Sequence, residues 1–325
     1  SSRDSSGDSP LQSSGNEGIA VVCAGQDGSQ WEELVRWARV FPMQDAMPVD
    51  RLAASLFVNS ANPGGRLMAM FTAFFDASGD GVREPFVIVS GYIANFVQWH
   101  LFETTWKSVH DKYGVSPPFH AADLVAAMTN PAYKKQTNAR QDYVLLATEP
   151  EKATQFIREI SLAEASLVNC AVTSIVRMST YEQVSSLLDL RKMVPPYALA
   201  ARSCIELVRK WEGEFQIPEP VECIFEEGDF EQGKFTNLMV DEGMAQPIYK
   251  KKGDYAGLQG ADHYAWERAF FMKRVAGTDL PARLPFQIQL GSIPKLHIES
   301  TITNLIGVCH MKNIDPKAEV RRVLR

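Results

Sequence analysis

The sequence predicts an α/β domain in which helices flank a mixed sheet. Residues 70–75 are all apolar except Thr72, and the run ends in Asp76 and a glycine-containing turn. Residues 221–225 form a second, shorter run that is apolar except for Glu222 and ends in Glu226 and Glu227. Strands that are apolar on both faces are typical of the centre of a sheet covered by helices, and open α/β sheets bind ligands at strand ends. Strand-like and helix-like patterns alternate between these runs, which favours the same fold class.

The composition limits the classes of protein to which this chain can belong. The chain has 325 residues, an ordinary apolar fraction of 45%, a formal charge of -6 and five cysteines without metal-ligand spacing. Scattered cysteines fit reduced thiols, so we expect a cytoplasmic protein, and the longest apolar stretch is too short for a membrane helix. The negative charge disfavours a wide nucleic-acid footprint. A nuclease stays possible, since clustered catalytic carboxylates would themselves add negative charge.

We expect two regions. Residues 1–67 are predicted to be a disordered or poorly packed N-terminal extension, because residues 1–18 are rich in Ser, Gly and Asp and carry almost no apolar side chains. The folded domain is predicted over residues 68–325, starting near Met68, so the preceding segment is either an extension or foreign to the native protein. After about residue 276 the proline-containing remainder is expected to be irregular and could close with a helix.

Local patterns place the elements in order. The strand that ends at Asp76 and a β-branched run at 85–94 are predicted to form an antiparallel hairpin. Aromatic residues recur at helical spacing up to Tyr113, and Gly114 provides a stop. Residues 117–123 are predicted to be a tight loop or short strand that carries His120 and Asp123. Further on, we expect helices at 149–164, 196–215, 230–242 and 257–275, with strands at 167–178, 221–225 and 247–249.

Acidic residues at two strand ends and near one helix start form the pattern of a metal site. They are Asp76, Glu226 or Glu227, and Asp262. Hard divalent cations such as Mg²⁺ prefer oxygen ligands, and a pair of ions can clamp the attacking and leaving oxygens of a phosphodiester displacement. The residues alone therefore predict a carboxylate site that binds metal.

Five motifs resemble the ribonuclease H-like proteins known as the domain of unknown function 3800 family. They are Asp-x-Ser-Gly-Asp from Asp76, the strand FVIVSGYIA, Phe-His-x-x-Asp from Phe119, the acids after Phe225, and Leu-Gln-x-x-Asp ending at Asp262. Together they span roughly residues 68–275. This chain departs from the usual family pattern at Ala77, where Glu is common, and at Glu226, where Asp is frequent.

The resemblance implies a ribonuclease H-like fold and a metal-dependent nuclease that acts on nucleic acid. Asp76, Glu226 and Asp262 would be the ligands of Mg²⁺ or Mn²⁺. Glu227, His120 or Asp123 would assist them. The departures at Ala77 and Glu226 keep a second reading open, in which the chain is an inactive ribonuclease H-like scaffold that binds nucleic acid or protein.

Each candidate residue also has a purely structural reading. Asp76 could initiate its turn through an Asx bond, and Asp262 could complement the dipole of its helix.

Residues 76–81 match part of a calcium loop, but Val87 stands where such a loop needs a bidentate Glu. An aspartyl-phosphate phosphohydrolase would place a general acid where this chain has Ser78.

Overall fold

The structure, a computed structural model, describes residues 71–79, 84–188, 194–229, 231–275, 293–299 and 301. The predicted extension at 1–67, the start at Met68, the turn residues Asp80 and Gly81, and a helix at the C-terminal end all lie outside this range. Within it, no helix has both the length and the apolar character needed to cross a membrane.

Six strands form one mixed sheet at the centre of the described residues. They are β1 (Phe71–Ser78), β2 (Phe86–Asn95), β3 (Cys170–Arg177), β4 (Glu222–Glu226), β5 (Ile248–Lys250) and β6 (Lys295–Glu299). The order across the sheet is β5-β4-β1-β2-β3-β6. β1, β2 and β3 are antiparallel neighbours, whereas β4, β5 and β6 each add in parallel. With the helices described below, this sheet confirms the predicted fold class, an α/β domain in which helices flank a mixed sheet.

Eight α-helices are described. They are α1 (Phe96–Tyr113), α2 (Ala121–Thr129), α3 (Gln141–Leu146), α4 (Pro150–Leu167), α5 (Met178–Leu188), α6 (Pro196–Glu214), α7 (Gln232–Asp241) and α8 (Ala256–Val275). One apolar core joins α6 and α7 to the sheet face that carries Phe75, and the other joins α1, α4 and α8 to the face that carries Phe74. Adjacent residues of β1 thus enter opposite cores, which explains why the strand is apolar on both faces.

Strand β1 continues two residues beyond Asp76, although the sequence suggested that it ends there. The antiparallel ladder to β2 still pairs Ala77 with Val89 and Ser78 with Ile88. On the other side, the parallel ladder to β4 ends at Phe75 opposite Phe225. Asp76 is therefore the first residue of β1 beyond its described pairing with β4, and its side chain lies where the two strands begin to diverge.

Two elements differ from the sequence prediction. Residues 117–123 are not a strand, because the loop turns into α2 at Ala121. The segment at 295–299 was expected to be irregular, but it forms β6 alongside β3. A short five-residue strand with one buried leucine, Leu296, gives little periodic signal, so pairing rather than local sequence defines it.

Gly91 permits the close contact between β1 and β2. A Cβ atom at this position would overlap the carbonyl oxygen of Phe74 and the ring of Phe75. We expect Gly91→Ala to destabilise the domain by about 1–3 kcal/mol or more, the usual cost of overpacking. Urea unfolding measures the change.

Gly213→Ala is the matched control for this prediction. Gly213 lies in α6, and an added Cβ meets nothing within 4 Å. Alanine is the better helix former, so the control should be neutral or stabilising. Equal losses of stability in both variants would contradict the close-contact explanation.

His110 is a buried histidine in an aromatic pocket on α1. Its Nδ1 lies 2.8 Å from the carbonyl oxygen of Trp106, so this nitrogen donates, and its ring packs edge-on against Phe119 and Phe156. Burial lowers the pKa of His110 below its ordinary value of 6.5, although the bond to Trp106 opposes this effect. The folded protein therefore holds a neutral imidazole that the unfolded chain would protonate.

The stability contributed by neutral His110 should be lost as pH falls below 6.5, because the unfolded state then binds a proton that the native state does not. One such group adds a slope of at most about 1.4 kcal/mol per pH unit. We expect His110→Phe to reduce the loss of unfolding free energy between pH 7.5 and 5.5. A slope unchanged in His110→Phe would refute the assignment.

Candidate metal centre

Asp76 lies at the centre of the candidate site. Its side chain is 2% exposed. One carboxylate oxygen, Oδ1, accepts a 2.7 Å hydrogen bond from the backbone nitrogen of Ala77, a local bond to the adjacent residue. The other oxygen, Oδ2, is buried and lies 2.7 Å from the ammonium of Lys252. This buried oxygen therefore already has a cation as its neighbour.

Glu226 and Asp229 join Asp76 from the end of β4. Gly228 lies between them with a φ of 102°, a left-handed conformation that reverses the chain and that glycine adopts readily. As a result, one carboxylate oxygen from each of Asp76, Glu226 and Asp229 lies within 4.8 Å of the others. Asp229 Oδ2 also accepts a 3.0 Å hydrogen bond from the hydroxyl of Tyr197 on α6.

Asp262 reaches the same site from the second turn of α8. Its Oδ2 accepts a 3.0 Å hydrogen bond from the backbone nitrogen of Ala121, the first residue of α2. Its Oδ1 lies 3.1 Å from the ammonium of Lys252. Asp262 therefore connects the start of α2 to the carboxylates of β1 and β4.

Lys252 brings these acids together. It begins a short 3₁₀ turn, Lys252–Asp254, between β5 and α8, and its side chain is 8% exposed. Its Nζ lies 2.7 Å from Asp76 Oδ2, 2.9 Å from Glu226 Oε2 and 3.1 Å from Asp262 Oδ1. These three carboxylate oxygens, which sequence reasoning placed in one site, thus share a single cationic neighbour.

Burial and mutual repulsion dominate the electrostatics. Burial raises the pKa of Asp76 well above its ordinary value, and Asp262 and Glu226 raise it further, while Lys252 opposes them. Burial also raises the pKa of Asp229, to about 6, with a further contribution from Glu226. For Lys252, burial alone would lower the pKa, but the attraction of Asp76, Asp262 and Glu226 outweighs burial and raises it. The site is therefore one that favours added positive charge.

Gln259 fixes the loop next to this site. Its Oε1 accepts hydrogen bonds from Phe119 N at 2.8 Å and from Trp106 Nε1 at 3.2 Å. Its Nε2 donates to the carbonyl oxygen of Lys252 at 3.4 Å. The Gln and the Asp of Leu-Gln-x-x-Asp therefore both hold the Phe-His-x-x-Asp element, since Gln259 binds Phe119 and Asp262 binds Ala121.

The remaining predicted site residues surround this centre. Glu227 is exposed, and its backbone nitrogen donates to Lys250 O, so its side chain is placed apart from the buried acids. His120 is half-buried at the N-cap of α2, and its backbone nitrogen donates to the Tyr143 hydroxyl. Asp123 follows in the first turn of α2. No described contact assigns either His120 or Asp123 a chemical role.

Sequence reasoning missed Asp229, Lys252 and Tyr197 as members of the site. Asp229 comes three residues after Glu226, and the glycine between them was a signal that the chain turns back. Lys252 lay within a run of three lysines that also fits a solvated turn. Only the structure distinguishes it from Lys251, which is exposed. Tyr197 carries no signal in the sequence, because its role depends on the packing of α6 against the sheet.

Comparisons with known proteins give a distant likeness. The chain matches no family model and no curated protein. A solved structure of a single-residue mutant of Bst-RNase HIII is 13% identical, with a TM-score of 0.33, and the match covers 67% of this chain and 58% of that one. Bst-RNase HIII in complex with Mn²⁺ is 14% identical, with a TM-score of 0.36, over 90% of this chain and 99% of that one.

Neither neighbour assigns an activity to this chain, because both TM-scores are below 0.5 and both identities are low. The resemblance to the domain of unknown function 3800 family likewise stays a prediction from motifs. What the chain can do chemically must follow from its own carboxylates and Lys252.

We expect Gln259→Met to destabilise the domain. The substitution keeps the length of the side chain but leaves the buried donors Phe119 N and Trp106 Nε1 without their acceptor, at a cost of about 1–3 kcal/mol for each unsatisfied group. Urea unfolding measures the loss. Gln155→Met, the same change at an exposed position of α4, should have little effect. Equal stability of the two variants would contradict the role of Gln259 in fixing this loop.

Proposed function

We propose that this protein is a metal-dependent phosphodiesterase that cleaves nucleic acid. The observation that carries the proposal is the convergence of Asp76, Glu226 and Asp229, whose carboxylate oxygens lie within 4.8 Å of one another. Asp262 lies beside them, on the ammonium that also contacts Asp76 and Glu226. Carboxylates gathered at this spacing in a partly buried site are the ligand set that hard divalent cations require.

The donor set fits Mg²⁺ or Mn²⁺. All the candidate ligands are carboxylate oxygen atoms, and Asp76 Oδ2 is buried with only a cation, the ammonium of Lys252, described beside it. When bound, such an ion would polarise a phosphoryl oxygen and lower the pKa of a coordinated water. We assign Asp76, Glu226 and Asp262 as ligands, as the sequence predicts, and add Asp229.

The protein's own groups would orient the site. Asp76 and Glu226 are fixed by the two central parallel strands, and Asp262 is fixed by the backbone nitrogen of Ala121. The hydroxyl of Tyr197 donates a hydrogen bond to Asp229 and so restricts the orientation of that carboxylate. Rigid elements that carry ligands lower the cost of assembling the site in each reaction cycle. Nucleic acid as the substrate class rests on the motif resemblance.

One observation favours the alternative of an inactive scaffold. Lys252 already contacts three of the carboxylates, so the folded protein has a compensating charge without any metal ion. Together with Ala77 in place of the usual Glu, this arrangement is compatible with a domain that binds nucleic acid or protein and does no chemistry.

Cleavage assays with Mg²⁺, Mn²⁺ or EDTA, on single-stranded, duplex and hybrid substrates, test the proposal. We expect activity that EDTA abolishes and that Asp76→Asn or Asp262→Asn reduces by more than the roughly 10–100-fold cost of losing an outer-shell partner. Glu149→Gln provides a control, because Glu149 is exposed at the start of α4 and pairs with Lys152. Cleavage that survives both aspartate substitutions, or no cleavage with any substrate, would overturn the proposal.

A further inference from the structure

Lys252 occupies the position from which a cation could contact all three sequence-predicted ligands. Its Nζ contacts one oxygen each from Asp76, Glu226 and Asp262, at 2.7, 2.9 and 3.1 Å. These acids belong to β1, β4 and α8, so the ammonium connects three elements that are distant in the sequence. An ammonium with three donors is chemically matched to three carboxylate acceptors.

A divalent ion and this ammonium would compete for the same oxygens. Mg²⁺ binds carboxylate oxygens at roughly 2.0–2.1 Å in nearly ideal octahedral geometry. An ion at that distance from Asp76 Oδ2 and Glu226 Oε2 would lie almost in contact with Lys252 Nζ, and the two cations would repel each other strongly in a buried site. This repulsion opposes metal binding at these ligands as long as the ammonium stays in place.

The backbone around Lys252 is held independently of its side chain. The carbonyl oxygen of Lys252 accepts hydrogen bonds from Tyr255 N and from Gln259 Nε2. The turn is also closed by a bond from Asp254 N to Lys251 O. The long, flexible stem of lysine can therefore swing away while the turn keeps its place.

We propose that Lys252 is an internal cation that competes with the divalent metal for Asp76, Glu226 and Asp262, and so sets the metal affinity of the site. This inference rests on the proposed function, since it assumes that these acids bind metal. In the metal-free protein Lys252 compensates the buried carboxylates. In the metal-bound protein it leaves them and becomes more exposed.

Metal titration provides the first test. Lys252→Met removes the charge but keeps a long side chain, and Lys251→Met makes the same change at the exposed neighbour. At constant pH and ionic strength, calorimetry should show Mn²⁺ binding at least about tenfold tighter in Lys252→Met than in the wild type, because a like charge has been removed beside the metal. Lys251→Met should bind like the wild type. Equal or weaker binding in Lys252→Met would overturn the inference.

Amine labelling of the wild-type protein provides a test that does not depend on a variant folding. Lysine-directed acetylation, followed by mass spectrometry, reports how accessible each ammonium is. We expect Lys252 to be protected without metal and to become labelled at saturating Mg²⁺, whereas labelling of Lys251 should not change. Protection of Lys252 that persists in the metal-saturated protein would overturn the inference.

The two proposals fail in different ways. If the wild-type protein and Lys252→Met bind no divalent ion, the metal site fails and the inference fails with it. If the wild-type protein binds Mn²⁺ and cleaves nucleic acid, but Lys252→Met gains no affinity and Lys252 stays protected, only the competition fails.

Discussion

The compensation of buried negative charge is the constraint on which the described structure depends. Asp76, Glu226, Asp229 and Asp262 converge in a partly buried site, and a buried carboxylate without a partner is costly. Lys252 supplies positive charge to three of these groups, and Tyr197 supplies a hydrogen bond to the fourth. One charged site therefore connects five elements: strands β1 and β4, helices α6 and α8, and the turn before α8. Lys252, or another cation in its place, offsets the negative charge of this site.

A second set of contacts fixes the loop before α2, next to this charged site. Gln259 and Asp262 are three residues apart, so they lie on the same side of α8 and both reach the loop before α2. One accepts from Phe119 N and the other from Ala121 N. The His120 backbone between them is bound to the Tyr143 hydroxyl. Three successive backbone nitrogens of this loop are thus fixed by side chains, so its path beside the carboxylates is closely defined.

Much of this arrangement could be predicted from the sequence. The largely apolar run before Asp76 and the shorter run before Glu226 identify central strands, and the Leu-Gln-x-x-Asp pattern identifies the helix that carries Asp262. The antiparallel hairpin and the aromatic helix were predicted correctly, since each has a strong local signal. Position in space was harder to predict than type of element. The pairing partner of β6 and the conformation of the loop before α2 depend on tertiary contacts, and propensity alone does not encode them.

The site shows the same division between local and tertiary information. Asp76 and Glu226 were found because an acid that follows an apolar strand is conspicuous in a sequence. Lys252 could not be singled out from the sequence, because three adjacent lysines look alike until the backbone directs one inward and another to solvent. Asp229 depends on the left-handed Gly228, whose φ of 102° turns the chain back toward β1.

The parallel pairing of β1 with β4 has a consequence for how the chain is made. Antiparallel β2 follows β1 directly, but β4 emerges only after β3 and six of the eight described helices have been synthesised. Until then one edge of β1, lined by backbone groups that later pair with residues 222–225, has no native neighbour. Exposed apolar edges are where chains associate wrongly. During translation on the ribosome, that edge of β1 therefore stays open to pairing with another chain until residues 222–225 have been made.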